Sequence, residues 1–358
     1  MTRPFVSVLI DTYNHERFLE EAIVSVLEQD FPSREMEIVV VDDGSTDRTP
    51  EIVGKFAPRV RYLKKCNGGQ ASAFNAGIPE TRGEIVAFLD GDDWWEKDKL
   101  SCVCQAFEAR SGIAAVGHAI WDEHSESGRA VAIAPEREYT LRLTKTADAR
   151  LFPQLKGFFG TSRVTIRRAV LERVLPIPQE LVVEADEFMS TVAVAIGGGM
   201  VLRRPLTHYR LHANNLFQFT SGDREKVLRK YRVMDCLARQ LPQRLALGGL
   251  PSSSIEAVME SIRVDADRMR LILEGGKPWQ TFSVERASFA LDYAKVSPAY
   301  RVFKAAVLAL TLVLPPRRFY QLRGWYSNTK LRKMRGLLGE PTSPAPIIQV
   351  GIESGNRA

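Results

Sequence analysis

Asp90, Asp92 and Asp93 stand within four residues, spaced by Gly91, directly after the apolar run Ile85–Leu89. Carboxylates this close raise one another's proton affinity unless something neutralises them, and a hard divalent cation with oxygen ligands does so. Such a cation is useful where a phosphate is held or leaves. Two earlier polar clusters follow the same order of run and loop. Asp11-Thr12-Tyr13-Asn14 comes after Phe5–Ile10, and Asp42-Asp43-Gly44-Ser45 comes after Glu37–Val41. Farther on, Glu184-Ala185-Asp186-Glu187 opens a helical pattern, and His212 ends a strand-like stretch. A carboxylate beside a hydroxyl can take its proton, and a neutral imidazole can bind a metal or a phosphate. Each cluster alone has a plainer reading. Acidic turns are often simply solvated, Asp and Ser cap helices and favour turns, and acids suit a helix N-terminus.

The elements that must position these groups alternate. Phe5–Ile10, Glu37–Val41, Val60–Leu63 and Ile85–Leu89 read as strands; Ile85–Leu89 is apolar without a break and Glu37–Val41 nearly so, as when both faces are covered. Leu19, Ala22, Ile23, Val26 and Leu27 repeat with helical spacing and Pro32 stops them. Thr49-Pro50 starts a second helix and Asn67-Gly68-Gly69-Gln70 a third that runs to Ile78. This order predicts a doubly wound α/β sheet whose ligands lie beyond the carboxyl ends of the strands, where the acidic loops gather. The next stretch is less regular. Strands are expected over Ile113–Trp121, Val164–Ile166 and Met200–Leu211, a turn over Asp122–Gly128, and helices over Ala169–Val174 and Glu184–Ile196, the latter stopped by Gly197-Gly198-Gly199. Three helices follow over Asp223–Leu247, Ser254–Glu274 and Glu285–Lys295. The expected organisation is a catalytic domain over residues 1–220, a helical region over 221–338, and a tail over 339–358 whose composition predicts disorder.

The 358 residues carry a net charge of +6, but nine Lys/Arg and no Asp/Glu fall between Arg301 and Arg335. The basic character belongs to that segment, which argues against a general nucleic-acid-binding face. It surrounds the apolar stretch Val302–Leu314, too short to span a bilayer and flanked by Tyr320, Trp325 and Tyr326. Residues 298–335 are therefore expected to hold the protein on a membrane surface without crossing it, the alternative being a buried helix at a domain or dimer contact. The four cysteines show no metal or disulfide spacing, and the apolar run Phe5–Ile10 is too short for a secretory leader, so none is expected. A cytoplasmic protein, peripheral on the cytoplasmic face of the membrane, is expected. No GxGxxG or glycine-rich phosphate loop follows the first strand, which disfavours a dinucleotide oxidoreductase and a nucleotidyltransferase.

Four elements occur in one order: a strand into DTYN, a strand into DDGS, a helix opened by NGGQxSxxNxG, and a strand into DGDD. Together they resemble the family 2 glycosyltransferases of the GT-A fold, densely over Pro4 to Leu100 and thinly to Asn215. The resemblance implies an α/β GT-A type doubly wound mixed sheet with an appended helical C-terminal region. Residues 1–100 would bind the donor and 101–220 the acceptor. It implies one sugar moved from a nucleotide-sugar donor, UDP-linked, to a carbohydrate or lipid-linked acceptor hydroxyl with inversion, in cell-surface polysaccharide or glycolipid synthesis. The implied donor-binding residues are Asp11, Thr12, Tyr13, Asn14, Asp43, Gly69, Gln70 and Asp90, with Asp43 accepting a pyrimidine N–H and the glycine turn letting backbone approach the donor. Asp92 and Asp90, with His212 of Tyr209-Arg210-Leu211-His212 as a third ligand, would hold Mn²⁺ or Mg²⁺. Asp186 is the implied general base, with Glu187 and Glu184 behind it because the usual adjacent acidic pair is altered here. Phe74 stands where many members carry Arg. The QxxRW element and the long membrane spans of processive members are missing, so a single addition is expected. A scaffold protein on the same fold that has lost catalysis is the competing reading.

Overall fold

The computed structural model describes residues 5–124, 129–212, 224–292, 297–327 and 347–352. The chain opens with β1 (Val6–Thr12), α1 (Leu19–Leu27), β2 (Met36–Asp42), α2 (Thr49–Gly54), β3 (Arg61–Lys64), α3 (Gln70–Gly77), β4 (Ile85–Asp90), β5 (Trp94–Trp95) and α4 (Lys99–Ala109). β6 (Ala115–His124), β7 (Arg129–Pro135), β8 (Tyr139–Leu141), α5 (Thr146–Leu155), β9 (Thr165–Arg167), α6 (Arg168–Val174), α7 (Ala185–Gly197) and β10 (Gly199–Leu211) complete the first region. The helices α8 (Arg224–Leu247), α9 (Ser252–Glu274), α10 (Pro278–Asp292), α11 (Pro298–Val313) and α12 (Pro316–Ser327) follow, and then β11 (Ile347–Ile352).

One mixed sheet runs β11-β7-β6-β9-β4-β1-β2-β3, with β10 added against β5, β6 and β8. β3, β2, β1 and β4 are parallel, and β9 is antiparallel to β4. Successive side chains of a strand point to opposite faces, so the largely apolar runs feed two cores. Val8, Ile10, Val40 and Leu89 pack with Leu19, Ile23 and Leu100 on one face. Leu9, Val41, Phe88 and Phe74 pack with Phe152, Phe188 and Met189 on the other. Phe74 is wholly buried and meets the Phe88 ring edge-on, so this position is core here.

The register sets the site. Asp11 lies beside Asp90 on one side and Val41 on the other, and Thr12 lies beside Asp42. Three acidic loops therefore leave the sheet at one edge.

The structure differs from the sequence reading in four places. β6 runs to His124 and pairs with β7 there, so residues 122–124 of the expected turn Asp122–Gly128 are strand. β7, β8 and α5 lie in a stretch without a clear period, where alanine-rich β7 gives little apolar alternation. α10 begins at Pro278 rather than near Glu285, a residue tolerated in the first turn of a helix. Residues 347–352 lie within the tail whose composition predicts disorder, yet they form a strand antiparallel to β7. Ile347, Ile348, Val350 and Ile352 are β-branched and suit an open sheet edge. The remainder of that tail, and Lys330, Arg332, Lys333 and Arg335 of the basic run, lie outside the described residues.

Candidate active site

The acidic turn after β4 is held from two distant parts of the chain. Ser162, in the short turn before β9, donates its hydroxyl to Asp93 Oδ2 at 2.6 Å and accepts from the Asp90 N–H at 3.0 Å. The Ser162 carbonyl accepts from Trp95 Nε1, Lys99 Nζ and Thr207 Oγ1, at 3.0, 2.7 and 2.6 Å. On β10, the Arg210 N–H donates to Asp93 Oδ1 at 2.9 Å and its Nε to the Asp92 carbonyl at 3.0 Å. The Arg210 guanidinium lies over the Trp94 ring. Asp93 is thus a buried brace of the turn. Gly91 is required here, because a Cβ would fall 2.7 Å from Thr12 Oγ1 and 2.9 Å from His15 Nδ1.

Asp92 Oδ2 receives His212 Nε2 at 3.1 Å and faces His15 Nε2 at 3.8 Å. Burial works against its charge, but the bond from His212 and the field of His15 outweigh burial and hold the carboxyl below its ordinary value. Its neighbours go the other way. Burial and then the charge of Asp92 push Asp11 and Asp93 up to about 8, and burial followed by Asp11 and Asp92 raises Asp90. Asp11 Oδ1 is buried with no hydrogen-bond partner among the described residues. The loop edge thus holds more negative charge than its own side chains neutralise. Oxygen donors with one imidazole suit a hard divalent ion. Among the described residues, no three such side chains converge closely enough to hold one alone.

The acids at the start of α7 face three different surroundings. Among the described residues Asp186 accepts backbone N–H groups, from Thr161 to Oδ2 and from Glu187 to Oδ1, both at 2.9 Å. Burial raises it above the usual aspartate value, and it adds to the field that raises Asp11 and Asp90. It therefore belongs to the carboxylate cluster. Glu187 is paired with Lys156 at 2.5 Å and is held low, burial being outweighed by Lys156 and then Lys230. Glu184 has a left-handed backbone at φ +59° and is paired with Lys230. Burial pushes it up to about 7 although Lys230 pulls the other way.

Several residues expected to meet a donor also hold the loops around the site. Asp43 accepts Lys65 Nζ at 2.6 Å and the N–H groups of Gly68 and Gly69 at 3.1 and 2.6 Å, so its oxygens organise the 65–69 loop. Asp42 accepts the Ser45 N–H at 2.7 Å and the Tyr62 hydroxyl. Asn14 Oδ1 accepts from the Thr46 N–H at 2.9 Å. Gln70 bridges Thr161 Oγ1 and the Ala185 N–H, each at 2.9 Å, and so ties the start of α3 to the start of α7. Gly69 has φ +82°, and a Cβ there would sit 2.6 Å from Val182 Cα. Its close approach is to the 181–185 loop, not to open space. Thr12 is buried, and Tyr13 is 45% exposed at the loop edge.

Ser162, Lys99, Lys156 and Lys230 have no signature in the sequence, since their partners are 31 to 72 residues away. Arg210 lies in the stretch that carries His212, so its motif marked the region but not its task.

Residues 7–175 match the family described as Glycosyl transferase family 2. An uncharacterized glycosyltransferase of Nostoc sp. (strain PCC 7120) is 35% identical over 231 residues, which cover 62% of this chain and 69% of that protein. The poly(ribitol-phosphate) β-N-acetylglucosaminyltransferase TarS of Staphylococcus aureus is 41% identical over 98 residues, 26% of this chain and 17% of that protein. The structure of TarS residues 1–349 in complex with UDP-GlcNAc gives a TM-score of 0.52 at 19% identity, covering 82% of this chain and 93% of that one. A mannosyltransferase of Pyrobaculum calidifontis in complex with GDP-Man and Mn²⁺ gives 0.52 at 20% identity, covering 92% and 89%. At such identities the likeness is one of fold, and the mixed sheet with its helical C-terminal region is of the GT-A kind. The matched sequence and the order of its acidic loops show that the chain belongs to glycosyl transferase family 2.

Proposed function

We propose that this glycosyltransferase moves one sugar from a UDP-linked donor to an acceptor hydroxyl with inversion, and that Asp186 is its general base. The observation that carries this reading is the contrast at the start of α7. Among the described residues, Glu184 and Glu187 are paired with lysines and Asp186 is not, while Asp186 shares its field with Asp11 and Asp90. A raised carboxylate is a better proton acceptor near neutral pH than an ordinary one. Asp186 takes the proton of the acceptor hydroxyl as its oxygen bonds to the anomeric carbon. The bond to the diphosphate breaks on the opposite side, and its electron pair stays with the diphosphate.

In this reading exposed Tyr13 flanks the base, while Asp11, Thr12 and Asp90 meet the ribose at the loop edge. Asp43, Asn14, Gly69 and Gln70 serve the donor by fixing the loops around it, and Asp43 would exchange an N–H of the 65–69 loop to bind a pyrimidine directly. Residues 1–100 form the donor half and 101–220 the acceptor half. Mn²⁺ or Mg²⁺ fits the excess of carboxylate oxygen, with Asp92 as ligand, Asp90 beside it, His212 as a further donor, and the rest left to phosphate oxygens and water. When bound, it would offset the charge that grows on the diphosphate. UDP is chosen over other bases on the sequence match to TarS, whose structure carries UDP-GlcNAc. The poly(ribitol-phosphate) acceptor in that relative's name supports an acceptor in cell-surface polysaccharide synthesis; we extend that reading to a carbohydrate or lipid-linked acceptor at the cytoplasmic face.

The test is a screen of nucleotide sugars with Mn²⁺, read by titration calorimetry and by release of the nucleoside diphosphate. At least one UDP-sugar should bind and be turned over, a chelator should stop turnover, and Asp92→Ala should resemble the chelated protein. Full turnover by Asp92→Ala at saturating donor would remove the metal assignment. Donor binding without turnover on any acceptor would favour the inactive scaffold.

A further inference from the structure

Helix α11 is inside out. The face it turns toward the rest of the chain buries Tyr300, Lys304 and Thr311. The face it turns outward holds Val302, Ala305, Ala306, Ala309, Leu310, Leu312 and Val313, spaced as one helical stripe. Val302 and Val313 are 72% and 75% exposed, and Leu310 and Leu312 about half exposed at 48% and 51%. The inward polar groups are accommodated. Thr311 donates to the Leu308 carbonyl at 2.6 Å, and Lys304 lies over the Phe289 ring in the field of Glu285. Phe319 and Tyr320 of α12 join Val264, Leu271 and Val284 in a small core of their own, with Val307 and Leu314 against it. The hairpin is therefore packed on α9 and α10, and its apolar stripe is not left over from poor docking. A contiguous apolar patch of this kind on a protein surface marks a binding face.

We infer that the outward face of α11 docks on an anionic lipid surface, lying in its plane. Charge selects this occupant. Exposed Arg301 begins the stripe, exposed Arg317 and Arg318 follow its end, and neither α11 nor α12 contains an acidic residue. Leu322 on α12 is a further exposed apolar side chain. A second copy of the chain would meet the face with the same face, so basic ends would meet basic ends. An anionic bilayer neutralises them while taking the apolar stripe into the headgroup boundary. Depth is limited as well. The 16 residues of α11 reach about 24 Å at 1.5 Å per residue, short of a span. Among the described residues no helix is long and apolar enough to cross.

Flotation of the full chain with vesicles tests this without any sugar donor, so its outcome is independent of the transferase reading. The protein should float with phosphatidylcholine vesicles containing phosphatidylglycerol at low salt, and remain below with pure phosphatidylcholine. Leu310→Glu/Val313→Glu, both at exposed positions, should abolish flotation with an unchanged melting temperature. Arg317→Glu/Arg318→Glu should lower the partition coefficient by on the order of ten-fold or more. The inference is overturned if folded wild type stays below with anionic vesicles, or floats equally with neutral ones. It is also overturned if sedimentation gives a dimer that Leu310→Glu/Val313→Glu separates while vesicles are ignored.

Discussion

Asp186 and Glu187 are neighbours in sequence and opposites in surroundings. One is bound by backbone N–H groups among other carboxylates, and the other is clamped by Lys156. Their isosteric amides should therefore fail differently. Asp186→Asn cannot take a proton, so turnover should fall by about 10² to 10⁴ while donor affinity stays within a few-fold. Because its proton affinity is raised, wild-type turnover should climb through a pH range above the ordinary aspartate value, and that acid limb should vanish in Asp186→Asn. Glu187→Gln leaves Lys156 without its anion. It should lose about 1.5–3 kcal/mol in urea unfolding and keep most of its turnover under stabilising conditions. The reverse pattern, with turnover lost in Glu187→Gln and kept in Asp186→Asn, would transfer the base to Glu187.

At the scale of elements, α3 owes its place to the glycine before it. Gly69 has φ +82° and ψ 177°, a region that residues with a Cβ avoid at a cost of about 1–3 kcal/mol. A Cβ there would also collide with the Val182 backbone. Gly69→Ala should lower the urea midpoint accordingly and loosen the contact of Gln70 with the start of α7, seen as faster amide exchange at Ala185. An unaltered midpoint would mean that the 181–185 loop yields easily. The sequence made this turn visible as Asn-Gly-Gly-Gln but gave no sign of its contact with the 181–185 loop. The pattern repeats across the molecule. Largely apolar runs with acidic ends made β1, β2 and β4 legible, and with them the edge where Asp11, Asp90 and Asp92 meet. Helical spacing did the same for α1 and α7. What stayed hidden depends on long-range pairing. Ser162 has no local signature because its partners Asp90 and Asp93 lie about seventy residues earlier. The strand β7 has little alternation, and β11 needs the edge that β7 supplies.

Across the whole molecule, the C-terminal helices are joined by a charged core as well as an apolar one. Glu285 is buried and accepts Arg323 at 2.6 Å and Arg268 at 3.2 Å. Burial disfavours its charge, but Arg323, Arg268 and Lys304 outweigh burial and hold its carboxyl below the ordinary 4.5. A group depressed in the folded state stabilises above its unfolded value, and that stabilisation fades as pH falls through the folded one. Thermal unfolding followed from pH 7 to pH 3 should show wild type losing more stability than Glu285→Gln, mostly below about 4.5, where the two curves should converge. Parallel curves would show that the arginines are satisfied without the charge. The first region is bound together differently, through the carbonyl and hydroxyl of Ser162 and the main chain and guanidinium of Arg210. Both reach the acidic turn from beyond residue 160, although every acid of that turn is encoded before residue 94. The first hundred residues are therefore not an interchangeable cassette. A hybrid that grafts them onto the remainder of another family member at residue 100 inherits the carboxylates without the scaffold that aims them, and such an exchange has to carry the 160–163 and 207–212 segments along with the first hundred residues.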